Sequence, residues 1–352
     1  MEYSRINDTI SILTRSILFV QGAVWVIKLR CRKQGSLPKR CLLSLLLLIG
    51  LGSAGVANAS EGFLYGGPTG SDAMDAAYLP PPGLYGFLVL GTAHSTSLYG
   101  NNAREITGLN FGVHGYAPTF GLTYVYPFTL AGGSLASSIL DNYQSIHLTI
   151  NNVPSHATGF GDLYVNFLSW SKHLGGADDG SKASAALPYG LTVKLAFSMQ
   201  FPIGEYNASA PVSVGYNTKF FSPNAAVSYL TGPSLLGDGT EFSLAIWYDI
   251  ASENRVHAYK TGDVVDFDWA VSEHLGLWQI GLHGNYASQV RDDVVAGVSI
   301  GNRLGASGIG PVVSYVIPAW KAVVRLNATA PLWTRNTNHL SSVYLVFVKK
   351  FE

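Results

Sequence analysis

The stretch GLTVKLAFSMQF, residues 190–201, alternates strictly between two kinds of side chain. Leucine, valine, phenylalanine and methionine fill the odd positions after Gly190, and threonine, lysine, alanine, serine and glutamine fill the even ones. Residues two apart share one face of a β-strand, so this strand has a hydrocarbon face and a polar face. A soluble sheet turns its polar face to bulk water. An outer-membrane barrel turns its apolar face to lipid and its polar face to a wet lumen.

Composition favours an exported protein rich in β-structure. Charged residues make up 12% of the chain, about half the soluble average of roughly 25%. The first 59 residues hold 8 of the 22 Lys and Arg and 2 of the 22 Asp and Glu, which leaves 14 basic against 20 acidic residues and a net charge of −6 in the remainder. Because nucleic-acid binding requires a basic patch, we expect no nucleic-acid partner.

The N-terminal region has the order of an export signal. Lys39 and Arg40 precede the apolar run 41–56, and Ala57-Asn58-Ala59 fits a cleavage site, so residues 37–59 are predicted to be a signal peptide and Ser60 the first mature residue. A membrane anchor is the alternative, but an apolar run of about 12 residues is short for a span. Residues 1–36 are interpreted as an over-extended gene start, with a genuine long leader left open. Both cysteines of the chain precede the cleavage site, so the mature protein would have no disulfide.

Alternating segments recur along the mature chain. EFSLAIWYDI (241–250), VVDFDWAV (264–271) and WQIGLHGNYASQ (278–289) each place apolar and polar residues on opposite faces. About a dozen such segments, each near the roughly 10 residues that a barrel strand needs, predict an all-β antiparallel transmembrane β-barrel of about 12 strands over residues 81–352. A soluble β-sandwich, with the polar face simply solvated, is the alternative. Residues 60–80 form a separate N-terminal segment, and the sequence leaves open whether it plugs the lumen.

The connections and aromatic residues fit the same architecture. The segments 94–110, 172–188, 204–218 and 251–263 are long and polar, while others are tight, which predicts short turns at one rim and long loops at the other. Aromatic side chains near strand ends are expected to form interfacial girdles. These are Trp170, Trp247, Tyr248, Trp278, Trp320, Trp333, Tyr124 and Tyr126.

Polar residues on the inward positions are the candidate lining of the lumen. The set mixes charges of both signs with amides and one indole. Its members are Lys194, Ser198, Gln200, Glu241, Trp247, Asp249, Asp266, Asp268, Gln279, His283, Asn285, Gln289 and Arg325. Trp247 would stack on an aromatic solute, and the amides of Gln279, Asn285 and Gln289 would bind its hydroxyl or carboxylate.

Catalytic and metal chemistry find less support. Asp266 and Asp268 share a face and could form a carboxylate pair with His283 as a base, but two solvated lumen charges are the favoured interpretation. The nine histidines show no H-E-x-x-H spacing or close sequence cluster. The sequence therefore predicts no catalytic residues, no metal site and no cofactor.

Several stretches together resemble an outer-membrane family linked to the meta-pathway of phenol degradation. They are LPPPGLYGFLV (79–89), TGFGDLYVNFLSW (158–170), FPIGEYN (201–207), DFDWAVS (266–272), GLHGNYASQVRDD (281–293) and GNRLGASGIGPVVSYV (301–316). The end of the chain, SVYLVFVKKFE, is similar to the aromatic signal read by the barrel assembly machinery, although Lys349 and Glu352 depart from that pattern.

The resemblance implies a non-enzymatic channel or transporter in the Gram-negative outer membrane, in contact with its lipid and associated with aromatic catabolism. Together with small wall residues such as Ala196 and Ala245, it leads us to expect passage of small hydrophobic or aromatic solutes. A structural barrel and, less favoured, a barrel enzyme acting on lipid or peptide are the alternatives.

Overall fold

A computed structural model of the chain describes residue 66 and residues 73–176, 187–233 and 236–351. The predicted signal peptide and the interpretation of residues 1–36 fall outside this part. In the described residues, the regular structure consists of seventeen strands and one 3₁₀ turn, Pro318–Trp320. The strands are β1 (Gly83–Ser95), β2 (Phe111–Tyr116), β3 (Thr119–Leu130), β4 (Gly133–Ile150), β5 (Val153–Phe160), β6 (Leu163–Gly176), β7 (Gly190–Phe201), β8 (Phe220–Leu230), β9 (Gly239–Ala251), β10 (Tyr259–Lys260), β11 (Val264–Leu275), β12 (Trp278–Gln289), β13 (Val294–Val295), β14 (Val298–Ser299), β15 (Gly305–Ile317), β16 (Ala322–Arg335) and β17 (Ser341–Lys350).

The main sheet closes on itself as an antiparallel barrel, because β1 pairs with the last strand, β17, over ten residues. Two pairs of its strands each form one continuous wall strand. The register of β1 passes from Thr92↔Tyr116 in β2 to Val89↔Thr119 in β3 without a slip, the break falling at Pro118, which has no N–H to donate. β5 and β6 likewise both pair with β4, with a shift of one residue between Tyr143↔Phe160 and Leu140↔Tyr164. The wall therefore has twelve strands, which confirms the predicted fold class.

The wall has the polarity of a membrane barrel. Large apolar side chains such as Leu88, Leu195, Ile246 and Leu282 are exposed on the outer face, while the alternate residues of the same strands are buried or half-buried. A closed barrel satisfies every wall N–H and C=O without water, so it can lie in hydrocarbon. Trp278 and Trp320 are exposed at strand ends, the place predicted for a girdle, and Tyr124 is exposed in the middle of β3. Trp247 is an exception, because it is buried on the inner face.

The two rims differ as predicted, with two corrections. The turns at 131–132 and 276–277 and the chain end after β17 lie at one rim, and the connections 96–110, 202–219 and 252–263 at the other. Segment 172–188 was expected among the long loops, and this is wrong. The pairs Gly176↔Gly190 and Ser134↔Ser171 place both of its ends at the short-turn rim. Conversely, the long-loop rim includes the two-residue turn Asn151-Asn152, both residues with positive φ.

The wall is taller at one place on the long-loop rim. β4 has 18 residues, and its C-terminal half, which is nearer the long-loop rim, pairs with β2 on one side and with β5 on the other. β7 pairs with β6 but not with β5, so among the described residues β5 has a strand partner on one edge only. We use the name overhang for the paired residues at this rim, which are 92–95 of β1, 111–116 of β2, 143–150 of β4 and 153–160 of β5. Within the described residues, no helix has the length and apolarity needed to cross a membrane.

Candidate functional site

The inner face of the barrel carries all thirteen residues predicted to line the lumen. Nine of them are buried: Ser198, Glu241, Trp247, Asp249, Asp266, Asp268, Gln279, His283 and Gln289. The other four, Lys194, Gln200, Asn285 and Arg325, are half-buried. Each lies on the strand face opposite the exposed apolar row, because the side-chain period of a strand is two. Burial does not show that they line a conducting path, so that role stays a prediction.

Glu241 is the centre of a polar cluster in the short-turn half of the lumen. Its Oε2 lies 3.0 Å from His274 Nε2 and accepts a hydrogen bond from Gln279 Nε2 at 3.1 Å. Its Oε1 accepts hydrogen bonds from the Ser243 hydroxyl and, at 2.8 Å, from the backbone N–H of Asp75. A buried carboxylate is costly unless it is paired and hydrogen-bonded. Glu241 meets that condition through partners on three strands and on the N-terminal segment.

Residues 73–77 lie across this half of the lumen, and we call them the inner segment. Arg325 Nη2 of β16 pairs with Asp75 Oδ2 at 2.6 Å, and its Nη1 donates to the Met74 carbonyl oxygen at 3.3 Å. On the far side, Ala77 accepts from Ser171 Oγ at 2.5 Å and donates its N–H to Ser228 Oγ at 3.1 Å. The inner segment is thus tied to β6, β8, β9 and β16, which are spread around the barrel.

The inner segment also covers the indole predicted to stack on a solute. Trp247 is 3% exposed and packs with Ala76, Ala77, Ala226 and Ala245. A solute cannot reach the indole while the inner segment holds this position. Two of the three predicted amide partners are engaged as well: Gln279 donates to Glu241, and the Gln289 side chain donates to Thr261 and accepts from the Leu304 N–H.

The carboxylate pair proposed for catalysis does not meet its predicted base. Asp266 and Asp268 of β11 lie opposite Ala287 and Asn285, while His283 lies opposite Ala270. His283 Nε2 is 3.1 Å from the Ala328 carbonyl oxygen of β16, an atom that can only accept, so Nε2 carries the proton. The imidazole therefore faces away from β11.

Loop 202–219 is fastened over the long-loop rim by one carboxylate. Asp162, between β5 and β6, accepts the backbone N–H of Gly204 and of Tyr216, each at 2.9 Å, and Gln200 Nε2 at 3.3 Å. The contacts hold the inner side of this loop against the wall.

An apolar cavity of about 380 Å³ opens between this loop and the inner wall, and we call it the rim cavity. Its wall includes the apolar side chains of Leu98, Phe111, Val113, Leu148 and Val212. Polar groups also reach it: the amides of Gln144 and Asn338, the Ser213 hydroxyl and the phenols of Tyr216 and Tyr344. The volume and the balance of many apolar and few polar groups are those of small-molecule sites.

Sequence reasoning missed Asp75, His274 and the rim cavity. His274 continues the inward row of β11 beyond Asp268 and could have been found by extending that alternation. Asp75 lies in no alternating segment, and the cavity joins four wall strands to a loop. Their proximity depends on closure of the barrel, which spacing along the chain does not reveal.

Comparison with known structures agrees with the barrel fold. The crystal structure of the COG4313 outer membrane channel from Pseudomonas putida F1 aligns with a TM-score of 0.67 at 14% identity, over 80% of this chain and 99% of that one. The transport unit of the autotransporter AIDA-I from Escherichia coli gives a TM-score of 0.47 at 10% identity, over 83% and 95% of the two chains. At 14% identity, the likeness to the Pseudomonas channel concerns the fold alone. No curated protein sequence gives a significant match.

The closed twelve-strand wall, its apolar outer belt and its polar interior are those of a Gram-negative outer-membrane barrel. A family model described as "Putative MetA-pathway of phenol degradation" matches residues 95–347, which is most of the chain. The protein belongs to this family of phenol-degradation-related outer-membrane barrels.

Proposed function

We propose that the barrel carries small hydrophobic or aromatic solutes across the outer membrane and that the rim cavity is where they first bind. The rim cavity is the observation that carries the proposal. It is lined by aliphatic and aromatic side chains on the inner side of the wall, and it lies at the long-loop rim, which in outer-membrane barrels faces outward. A solute arriving from outside would meet it before the inner segment.

The polar groups of the rim cavity suit a solute with one hydroxyl or carboxyl group. Burial raises the pKa of Tyr216 to about 12, so its phenol stays protonated and can donate a hydrogen bond. The amide groups of Gln144 and Asn338 can donate or accept. An apolar body with a single polar end would then be bound in one orientation.

The inner segment would control passage below the rim cavity. It lies beside Glu241, near the start of β9, and His274, near the end of β11, so it occupies the short-turn half of the lumen. It contacts the wall through hydrogen bonds and through small apolar side chains, because Ala76 and Ala77 pack on Trp247 and Ala73 lies in a cluster with Ala270. Passage of a solute would require this segment to shift.

The names of the family and of the similar solved structure are consistent with the same class of function, a channel for small aromatic solutes. The relative of known structure is named an outer membrane channel, and the family description mentions phenol degradation. A barrel enzyme is less favoured. Its acid–base candidates, Glu241 and His274, are 0% and 1% exposed and are covered by the inner segment, so a substrate has no access to them.

Filling the rim cavity tests the proposal. Gly115 lines it, and a Cβ built on Gly115 meets no atom within 4 Å, so a large side chain has room to enter the cavity. We expect Gly115→Trp to reduce the uptake of phenol, toluene and benzoate into proteoliposomes severalfold. Gly112, three residues earlier in β2 and on the outer face, also has open space, so Gly112→Trp is a matched control that should leave uptake unchanged.

Two outcomes would contradict the proposal. Equal uptake by the two tryptophan variants would mean that solutes do not pass through the rim cavity. Native barrels that take up these probes no faster than protein-free vesicles would point to a structural barrel. The heat-dependent gel mobility of folded barrels checks that each variant is folded.

A further inference from the structure

Four of the nine histidines form one row on the outer face of the overhang. The pairing registers set His94 of β1 opposite His114 of β2, His114 opposite His147 of β4, and His147 opposite His156 of β5. Residues directly opposite in an antiparallel sheet point to the same face, with Cβ atoms about 4.5–5.5 Å apart. All four imidazoles are exposed. We call them the histidine row.

The histidine row lies just beyond the apolar belt. Phe120, Tyr143 and Phe160 pack edge-to-face on the outer wall, as aromatic side chains do at a membrane interface. His147 follows Tyr143 by four residues along β4, a distance of about 13 Å in an extended strand. The row is therefore within reach of water and dissolved ions on the long-loop side of the membrane.

We infer that the histidine row binds divalent transition-metal ions such as Zn²⁺, Ni²⁺ and Cu²⁺, with His147 and His156 as the principal ligand pair. Imidazole nitrogen is a preferred ligand for these ions. Two nitrogens bound to one ion at about 2.0–2.1 Å each are about 3 Å apart. The rings of His147 and His156 have centroids 4.3 Å apart and are tilted by 34°, so small side-chain rotations bring a nitrogen of each to one ion.

The hydrogen bonds of His156 present a lone pair for coordination. Its Nδ1 is 3.2 Å from the Ile146 carbonyl oxygen, which can only accept, so Nδ1 carries the proton and Nε2 has the lone pair. Nε2 is 2.7 Å from the Thr158 hydroxyl, which can rotate away when an ion arrives. A histidine that donates its second N–H to a carbonyl is the usual arrangement at metal sites, since it fixes the tautomer and the ring.

The surroundings of the row are electrically neutral. Its same-face neighbours on the adjoining rows carry hydroxyl groups, a proline or no side chain: Thr92, Tyr116, Ser145, Thr158, Gly112, Thr149 and Pro154. No basic side chain of these two rows would repel a cation. Because three strand spacings span about 14 Å, the four histidines cannot all bind one ion. The pair His94 and His114 would form a second, separate site.

Titration calorimetry with Zn²⁺ tests this inference. The protein is the full barrel in detergent, purified without a polyhistidine tag. We expect His147→Asn and His156→Asn each to weaken the tighter site by at least about tenfold, because loss of a ligand should cost no less than the roughly 10–100-fold effect of losing a supporting residue. His257→Asn, at an exposed residue of the loop 252–263, is the matched control and should bind as the native protein does. With Cu²⁺, electron paramagnetic resonance should show nitrogen couplings that the His147→Asn variant loses.

Other results would overturn the inference. The native barrel could fail to bind Zn²⁺, or His147→Asn and His156→Asn could bind as tightly as the native protein. If His274→Asn lost Zn²⁺ binding while His147→Asn and His156→Asn kept it, the ion would lie instead in the buried cluster of Asp75, Glu241 and His274. Unchanged heat-dependent gel mobility shows that the surface variants are folded.

Discussion

A barrel whose chain begins at Tyr78 is expected to conduct severalfold more current in planar bilayers than the native protein. The change removes the inner segment, which crosses the lumen between Ser171 and Ser228 on one side and Arg325 on the other. β1 begins only at Gly83, so the closure of the wall by β1 and β17 is untouched. Single-channel recordings of the two proteins measure the difference.

A substitution provides a finer version of the same experiment. Arg325→Met removes the ion pair with Asp75 and the contact with the Met74 carbonyl oxygen, so the inner segment should leave its position more often and brief openings should appear. Lys172→Met is the control, because Lys172 binds the Ala131 carbonyl oxygen in the turn between β3 and β4, away from the inner segment. Equal conductance of the native and shortened barrels would show that another part of the chain sets the narrowest point.

Ile246→Arg is expected to destabilise the folded barrel by about 2–4 kcal/mol, the cost of a guanidinium at the bilayer midplane. Ile246 is the central residue of the outward row of β9, between Leu244 and Tyr248, and it is 41% exposed. The cost arises because lipid cannot solvate the charge. Denaturant titration of the barrel in lipid vesicles, followed by heat-dependent gel mobility, gives the free energy of unfolding.

Leu277→Arg is the matched control for this second prediction. Leu277 is 39% exposed but lies in the two-residue turn between β11 and β12, at the rim of the wall. Near the interface the cost of an arginine falls to about 0–1 kcal/mol. Equal losses of stability at the two sites would contradict the assignment of the outer face to lipid.

The strands were the part of this fold most accessible to sequence reasoning. Residues 190–201, selected for their alternation, coincide with β7, and EFSLAIWYDI lies inside β9. Alternation is a local property that follows from one apolar and one polar surface, so it can be identified within one strand. To predict the rim at which a connection lies, one must instead know how many wall strands precede it, because successive strands run in opposite directions. Segment 172–188 was misplaced for that reason.

The sites were less accessible, because they arise where distant strands meet. Glu241 was singled out as an inward charge, but its partners Asp75 and His274 are brought to it only by barrel closure. The histidines at 94, 114, 147 and 156 are irregularly spaced along the chain, and only the pairing registers align them. Trp247 was placed on the inner face, but its covering by Ala76 and Ala77 could not be derived from alternation.

The free edge of β5 gives the long-loop side of this barrel a potential template for strand addition. Its outward N–H and C=O groups have no strand partner among the described residues, and such edges promote intermolecular pairing and aggregation. Pro154, the second residue of β5, has no N–H to offer, and loop 202–219 occupies the other end of the edge through the hydrogen bond from Glu205 N–H to the Phe160 carbonyl oxygen. The open edge is thereby shortened from both ends, which protects neighbouring copies in a crowded membrane from joining edge to edge.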